Sequence, residues 1–272
     1  MLKARLISAA ILVPLVVYGV LRLPTSVFAL ILGAVLVAGS WEWARLVPLQ
    51  QQVLRLLYCA VVAVLLWLTW VAGPVQLIVP MLVVACIWWM FALYWISHPQ
   101  LCSSRAVACT GFKLLVGLLV CVPPWTALVV LHLRAENGPL LALILLVMVW
   151  LADSGAYFAG RLWGRHKLAP LVSPGKTREG VYGGLVASLL FAGGAGWYLS
   201  HSLTWTATFV AVSLLAMLFS VAGDLLESLM KRQSGIKDSG SIIPGHGGIF
   251  DRVDSLVAAA PVFLSGFLWL KL

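Results

Sequence analysis

Apolar runs long enough to cross a bilayer recur along this chain, and they decide what it can fold into. They fall near residues 1–23, 26–44, 54–72, 75–96, 114–132, 139–160, 181–199, 205–226 and 254–270. A helix needs about 20 predominantly apolar residues to span a hydrocarbon core roughly 30 Å thick. The expected fold is therefore all-α: a polytopic integral membrane protein of about nine transmembrane helices. With 62% hydrophobic and 10% charged residues and a mean hydropathy of +1.04, the chain is excluded from the ordinary soluble domains. The first run opens with Lys3 and Arg5, as a secretory signal would. It continues to Pro24 without a small-residue exit and another run follows at once, so it reads as the first membrane helix.

Charge in the connections supports that count. With the N-terminus in the cytoplasm and alternating spans, 15 of the 18 Lys and Arg residues fall on the cytoplasmic side, leaving only Arg22, Arg134 and Lys271 opposite. This is the positive-inside asymmetry. Adding or removing one span would scramble it. Both long polar loops, 161–180 and 227–253, then face the cytoplasm, where nucleotides are. In such a chain a net charge of +9 concerns orientation and anionic lipid rather than nucleic acid. The five cysteines form no CxxC pair, which argues against a disulfide framework or a zinc site.

Residues 1–135, about five spans, offer little chemistry. Trp41, Trp43, Trp88, Trp89, Tyr94 and Trp95 are expected at the membrane interface. Glu42 reads as a helix-end glutamate near Arg45, and His98, His132 and His201 as solvated loop-edge residues. Pro123-Pro124 should kink or break the fifth span. Residues 136–272 differ, because they carry the two polar stretches 161–180 and 223–254. Asp153 lies inside an apolar run, and an intramembrane carboxylate is a functional candidate, with a structural hydrogen bond to a neighbouring helix as the alternative. Gly155, Ala156, Ala159 and Gly160 would allow close helix packing beside it.

The stretch RLWGRHKLAPLVSPGKTREG, residues 161–180, contains SPGKT, which invites a phosphate-loop reading. Pro170 stands where that motif needs its first glycine, so an ATP-binding P-loop is rejected. A shorter turn whose amides, with Ser173, Lys176 and Thr177, meet a phosphate stays open, beside the plainer reading of topology-setting charge.

Gly223 to Asp254 is denser. It holds five of the nine carboxylates (Asp224, Glu227, Asp238, Asp251, Asp254) and the basic residues Lys231, Arg232, Lys237 and Arg252. Asp224 shares a helix face with Glu227 and Ser228, and Asp251 repeats the three-residue spacing with Asp254. Oxygen-only ligands favour Mg²⁺, which takes substrate phosphates and waters as its remaining partners. Acids at a helix start need no metal, since they suit the macrodipole, but Asp224 sits towards a helix end where negative charge is disfavoured. Asp224 and Asp251, then Asp254, are the candidate metal ligands. Pro244-Gly245-His246-Gly247-Gly248 can turn successive amides towards an anion. Cations, a metal and an amide-rich turn together describe chemistry at phosphorus.

Ser228-x-Met230-Lys231-Arg232, Lys237-Asp238 and Pro244-x-His246-Gly247-Gly248-x-x-Asp251-Arg252-x-Asp254 together resemble, without departure, the signature of the phosphatidate cytidylyltransferases (CDP-diacylglycerol synthases). The segment from Asp153 to Gly180 resembles that family's other shared region. The likeness covers about the last 120 residues; the first half matches only as generic spans. It implies a Mg²⁺-dependent membrane enzyme that uses CTP and phosphatidate to make CDP-diacylglycerol and pyrophosphate. Carried onto this chain, it makes Asp224, Lys231, Arg232, Lys237, Asp238, Asp251 and Arg252 candidate catalytic residues. Ser173, Lys176, Thr177, Ser228, Ser239, His246, Gly247 and Gly248 become candidate substrate contacts. The expected setting is a bacterial cytoplasmic (inner) membrane, with the N-terminus and both site loops cytoplasmic, no nucleic-acid partner, and room for a homodimer. A transporter would need inverted repeats with broken helices in both halves, whereas charge here is concentrated in one. A CDP-alcohol phosphatidyltransferase would need a DGxxAR…GxxxD…D pattern, which the chain lacks.

Overall fold

The computed structural model describes residues 2–49, 51–104, 106–236 and 248–270, with side chains from Leu12 onward. Every apolar run becomes a helix: α1 Leu2–Arg22, α2 Thr25–Leu46, α3 Gln52–Ala72, α4 Pro74–Ser97, α5 Val107–Leu133, α6 Gly138–Trp163, α7 Arg178–Ser200, α8 Leu203–Ser234 and α9 Asp254–Trp269. Among the described residues seven of them, α2 to α8, are long and apolar enough to cross a membrane. At 16 residues α9 spans only about 24 Å, short of a full hydrocarbon core. Large apolar side chains such as Trp67, Ile87, Leu190 and Tyr198 are exposed, as lipid-facing positions require.

The chain divides into two compact units: residues 1–81, 103–143 and 230–253, and residues 82–102, 144–229 and 254–272. In the first, α2, α3 and α5 pack together. Gly117 makes room for this, since a Cβ there would run into Tyr58 and Trp43. Three aromatic donors reach backbone carbonyls: Trp43 Nε1 to Lys113 O at 2.9 Å, Tyr58 OH to Leu114 O at 3.0 Å and Trp125 Nε1 to Ala29 O at 2.9 Å. Buried aromatics with a polar handle satisfy it in this way. The expectation of interfacial tryptophans is thereby corrected, for Trp43, Trp88, Trp89 and Trp95 are all buried. So is the solvated reading of His132: its Nε2 donates to Val20 O at 2.9 Å, its Nδ1 bonds the Thr25 hydroxyl at 2.8 Å, and its ring stacks on Phe28. The proline pair does not break α5, which is continuous through Pro123 and Pro124.

In the second unit, small residues bring α6 and α7 into backbone contact, as expected for Gly155, Ala156, Ala159 and Gly160. A Cβ on Gly184 would stand 2.7 Å from Ala152 O, and one on Gly180 would stand 2.9 Å from Ala156 O. Trp205, Phe209, Phe263 and Phe267 form an aromatic cluster at the far ends of α8 and α9.

Candidate active site

The stretch expected as a loop is an antiparallel hairpin, β1 Lys167–Ala169 with β2 Ser173–Thr177, the one departure from an all-helical reading among the described residues. SPGKT is therefore a strand, and the proposed amide-rich turn does not form there. Gly175 has open space around its Cβ position. Thr177 ends the strand and caps α7, its hydroxyl accepting from Gly180 N at 3.1 Å. Glu179, in the first turn of α7, accepts from Arg165 N at 3.1 Å, His166 N at 3.2 Å and His166 Nδ1 at 2.6 Å. These bonds staple the hairpin's base to the helix start, where a carboxylate also suits the macrodipole.

That rigid base aims Lys176 at α8. Its Nζ meets Asp224 Oδ2 at 2.5 Å. Asp224 Oδ1 is 3.4 Å from the Ser228 hydroxyl, one turn further along the same face. Gly223, just before it, has no side chain because Asp254 O occupies the space a Cβ would need. This close approach brings the start of α9 against α8, so that Asp254 lies beside Asp224 and Glu227. Glu227 is buried in the apolar interior. A cavity of about 440 Å³ opens beside Lys176 and Asp224, bounded by α6, β2, α7 and α8. Its walls are mostly small or apolar, and its charged groups are Asp153, Arg161, Lys176 and Asp224. Tyr157 OH accepts from Arg161 Nη1 at 3.0 Å. Ser173 lies on β2, where no contact assigns it to the cavity wall.

The first unit carries a second lysine–aspartate pair. Lys231 Nζ meets Asp251 Oδ1 at 2.7 Å, both partly buried, and Asp251 Oδ2 accepts from Gly248 N at 2.8 Å. Helix α8 continues through Lys231 and Arg232 to Ser234, two turns into the presumed loop. It stops at Gly235, whose φ of 74° is the left-handed conformation that glycine adopts without strain. Gly235 N bonds Arg232 O and Ile236 N bonds Lys231 O, both at 3.1 Å, which closes a Schellman end. Arg232 and Arg252 are exposed. Lys237, Asp238, Ser239, His246 and Gly247 lie outside the described residues.

One contact was not foreseen. Glu42, read from the sequence as a helix-end residue, is fully buried, and its Oε2 accepts from Phe250 N at 2.8 Å. A lone carboxylate inside an apolar run was the available signal, but its distance from the charged stretch concealed the partner.

Among the described residues no three His, Cys, Asp or Glu side chains are grouped to enclose a metal ion. The donor chemistry nonetheless fits Mg²⁺. Asp224 and Asp254 present hard oxygen ligands with Glu227 beside them, and Lys176 lies against this acidic group. Mg²⁺ is held through one or two carboxylates, with substrate phosphates and waters completing its shell.

Apolar helices of membrane-spanning length, a cavity with charged walls, and lysines held on aspartates define a polytopic membrane protein equipped to bind phosphates. The chain belongs to the Cytidylyltransferase family, whose match runs over residues 3–269. It is similar to the phosphatidate cytidylyltransferase of Pseudomonas aeruginosa, 44% identical over 99% of this chain and 97% of the relative. The Haemophilus influenzae protein of the same name is 39% identical over 97% of each chain. That of Staphylococcus haemolyticus is 46% identical over 43% of this chain and 44% of its own.

Proposed function

We propose that this chain transfers the cytidylyl group of CTP to phosphatidate, making CDP-diacylglycerol and pyrophosphate with the help of Mg²⁺. The observation that carries the site assignment is the Lys176–Asp224 pair on the wall of a cavity set among membrane-spanning helices. Near-full-length similarity to phosphatidate cytidylyltransferases supports the choice of substrates.

The chemistry asks little of a general base. A phosphate oxygen of phosphatidate attacks the α-phosphorus of CTP, a new O–P bond forms, and the bond to the β-phosphate oxygen breaks as pyrophosphate leaves. The nucleophile is already an anion, so the barrier lies in bringing two anions together and in charge building on the leaving group. Lys176 answers the first need: its ammonium, fixed beside the cavity by Asp224, can be shared with an arriving phosphate. Arg161, on the same wall, offers planar donors that match phosphate oxygens. Lys231, held on Asp251, supplies a further positioned ammonium in the first unit, and Arg252 follows Asp251 in sequence. These cations are set before substrate arrives, so the reaction need not reorganise them. In the second unit Asp224 and Asp254 would hold Mg²⁺, which when bound would neutralise phosphate charge and polarise the phosphorus; Asp251, in the first unit, is a further candidate ligand.

The apolar walls suit a lipid substrate entering from the bilayer, and the hairpin side suits CTP arriving from the cytoplasmic face of a bacterial inner membrane. Purified protein in mixed micelles, given labelled CTP and phosphatidate, should form labelled CDP-diacylglycerol only with Mg²⁺ present. Lipid-dependent turnover that survives chelation would overturn the metal assignment, and no labelled liponucleotide would overturn the reaction.

A further inference from the structure

We infer that Glu42 is a positioning residue for this reaction: from α2 it holds the backbone of the short helical turn Phe250–Arg252 and thereby sets where Asp251 stands. The inference rests on the reading of Asp251 as part of the active site.

The structural argument begins with an unusual burial. Glu42 has no exposed surface, and its Oε1 has no partner among the described residues. A buried carboxylate is costly even when well bonded, and an orphaned oxygen adds to that cost, so such a group is not explained by stability. The other oxygen, Oε2, accepts from Phe250 N at 2.8 Å across 208 residues of sequence. Phe250 N–H is one of the donors that a helical start leaves unsatisfied. Gly248 N, two residues earlier, is taken by Asp251 Oδ2 at 2.8 Å, while Arg252 N and Val253 N close the turn onto Ile249 O and Phe250 O. Glu42 thus supplies a cap that comes from a different helix.

The surrounding face of α2 is shaped to receive this turn. The Phe250 ring packs beside Trp43, with ring centroids 5.3 Å apart, and a Cβ on Gly39 would stand 3.2 Å from Phe250 Cδ2. Phe250 itself is 1% exposed, so the ring is seated and the carboxylate locks its backbone. The next residue is Asp251, whose two oxygens face Lys231 and Gly248. A small displacement of the Phe250 backbone is therefore passed directly to the lysine–aspartate pair.

Two conservative replacements separate reach from charge. Glu42→Gln keeps an acceptor at the same reach and loses the charge. Glu42→Asp keeps the charge but withdraws it by about 1.5 Å, the length of one C–C bond, beyond hydrogen-bonding distance. Both variants would be purified in detergent, and turnover of CTP with phosphatidate and hydrogen exchange of the 248–253 peptide would be measured. Positioning predicts that Glu42→Gln stays within about threefold of the parent kcat. Glu42→Asp should lose at least tenfold in kcat, hold KM for CTP within about twofold, and exchange at least tenfold faster at 248–253. The reverse order of activities, or unchanged exchange in Glu42→Asp, would overturn the inference. Faster exchange with undiminished turnover would instead show that the contact holds and that the placement of Asp251 in the active site is wrong.

Discussion

Replacing Lys176 by glutamine tests whether the hairpin belongs to the site or only sets membrane orientation. The ammonium lies 2.5 Å from Asp224 Oδ2, and the two side chains are 25% and 32% exposed. That degree of cover separates the pair from exposed surface ion pairs, which contribute about 0–1 kcal/mol. A charge-assisted hydrogen bond contributes about 1.5–3 kcal/mol, and each 1.36 kcal/mol is a factor of ten in rate. Lys176→Gln should therefore lower kcat/KM for CTP by roughly ten- to a hundredfold. The form of the loss locates the contact: a raised KM means ground-state binding of CTP, a lowered kcat means action in the transition state. Orientation should survive, because Arg161, Arg165, Lys167 and Arg178 remain in or beside the hairpin. A double-mutant cycle with Asp224→Asn isolates the pair, and the two losses should be strongly non-additive. Normal kinetics in Lys176→Gln, or losses that simply add, would refute the argument that the pair works as one unit.

Asp251→Asn should lower Mg²⁺-dependent turnover by at least about a hundredfold while the protein still elutes as a folded species in detergent; near-normal rates at limiting Mg²⁺ would remove it as a ligand. Cysteines introduced near residues 170 and 240 should both react with an impermeant reagent only from the cytoplasmic side, and labelling from opposite sides would sink a shared role for the two segments. Gly183→Ala should cost about 1–3 kcal/mol through overpacking, because the new Cβ meets that of Ala159 and stands 2.8 Å from Gly155 O. A melting temperature in detergent equal to the parent's would contradict that contact between α6 and α7.

Helix placement was legible because lipid leaves few options: a long apolar run must satisfy its backbone within itself, and each such run became a helix. Asp224 stood out as an acid near the expected end of a span, but α8 runs ten residues further to Ser234, so the macrodipole argument that singled it out does not hold in the structure. The hairpin was not legible. β1 is three residues and β2 five, too short for alternation to show, and the strand depends on Glu179 gathering the Arg165 and His166 amides. Lys176 was named for the wrong local structure and emerges with a carboxylate partner rather than in an amide-rich turn. Glu42 and His132 were misread because a polar residue in an apolar run shows its cost and not its partner. Those partners, Phe250 and Val20, lie 208 and 112 residues away.

The lysine–aspartate pairs themselves call for a reason. A charged side chain at the centre of a bilayer costs about 2.5–3.5 kcal/mol on insertion scales, and a buried ion pair recovers that cost only with good geometry. Replacing such a pair with apolar residues of similar volume is often neutral or stabilising by about 1–4 kcal/mol. If Lys176 and Asp224 were a structural brace, they would be a poor one. Their value lies in fixing the positions of a cation and an anion beside a cavity with mostly apolar walls. The double variant Lys176→Met with Asp224→Leu should then melt in detergent at or above the parent temperature and yet make no CDP-diacylglycerol. Either single variant should melt lower, since it strands the remaining charge. A double variant that melts well below both single variants would show that the pair holds the helices together, and the catalytic argument would lose its premise.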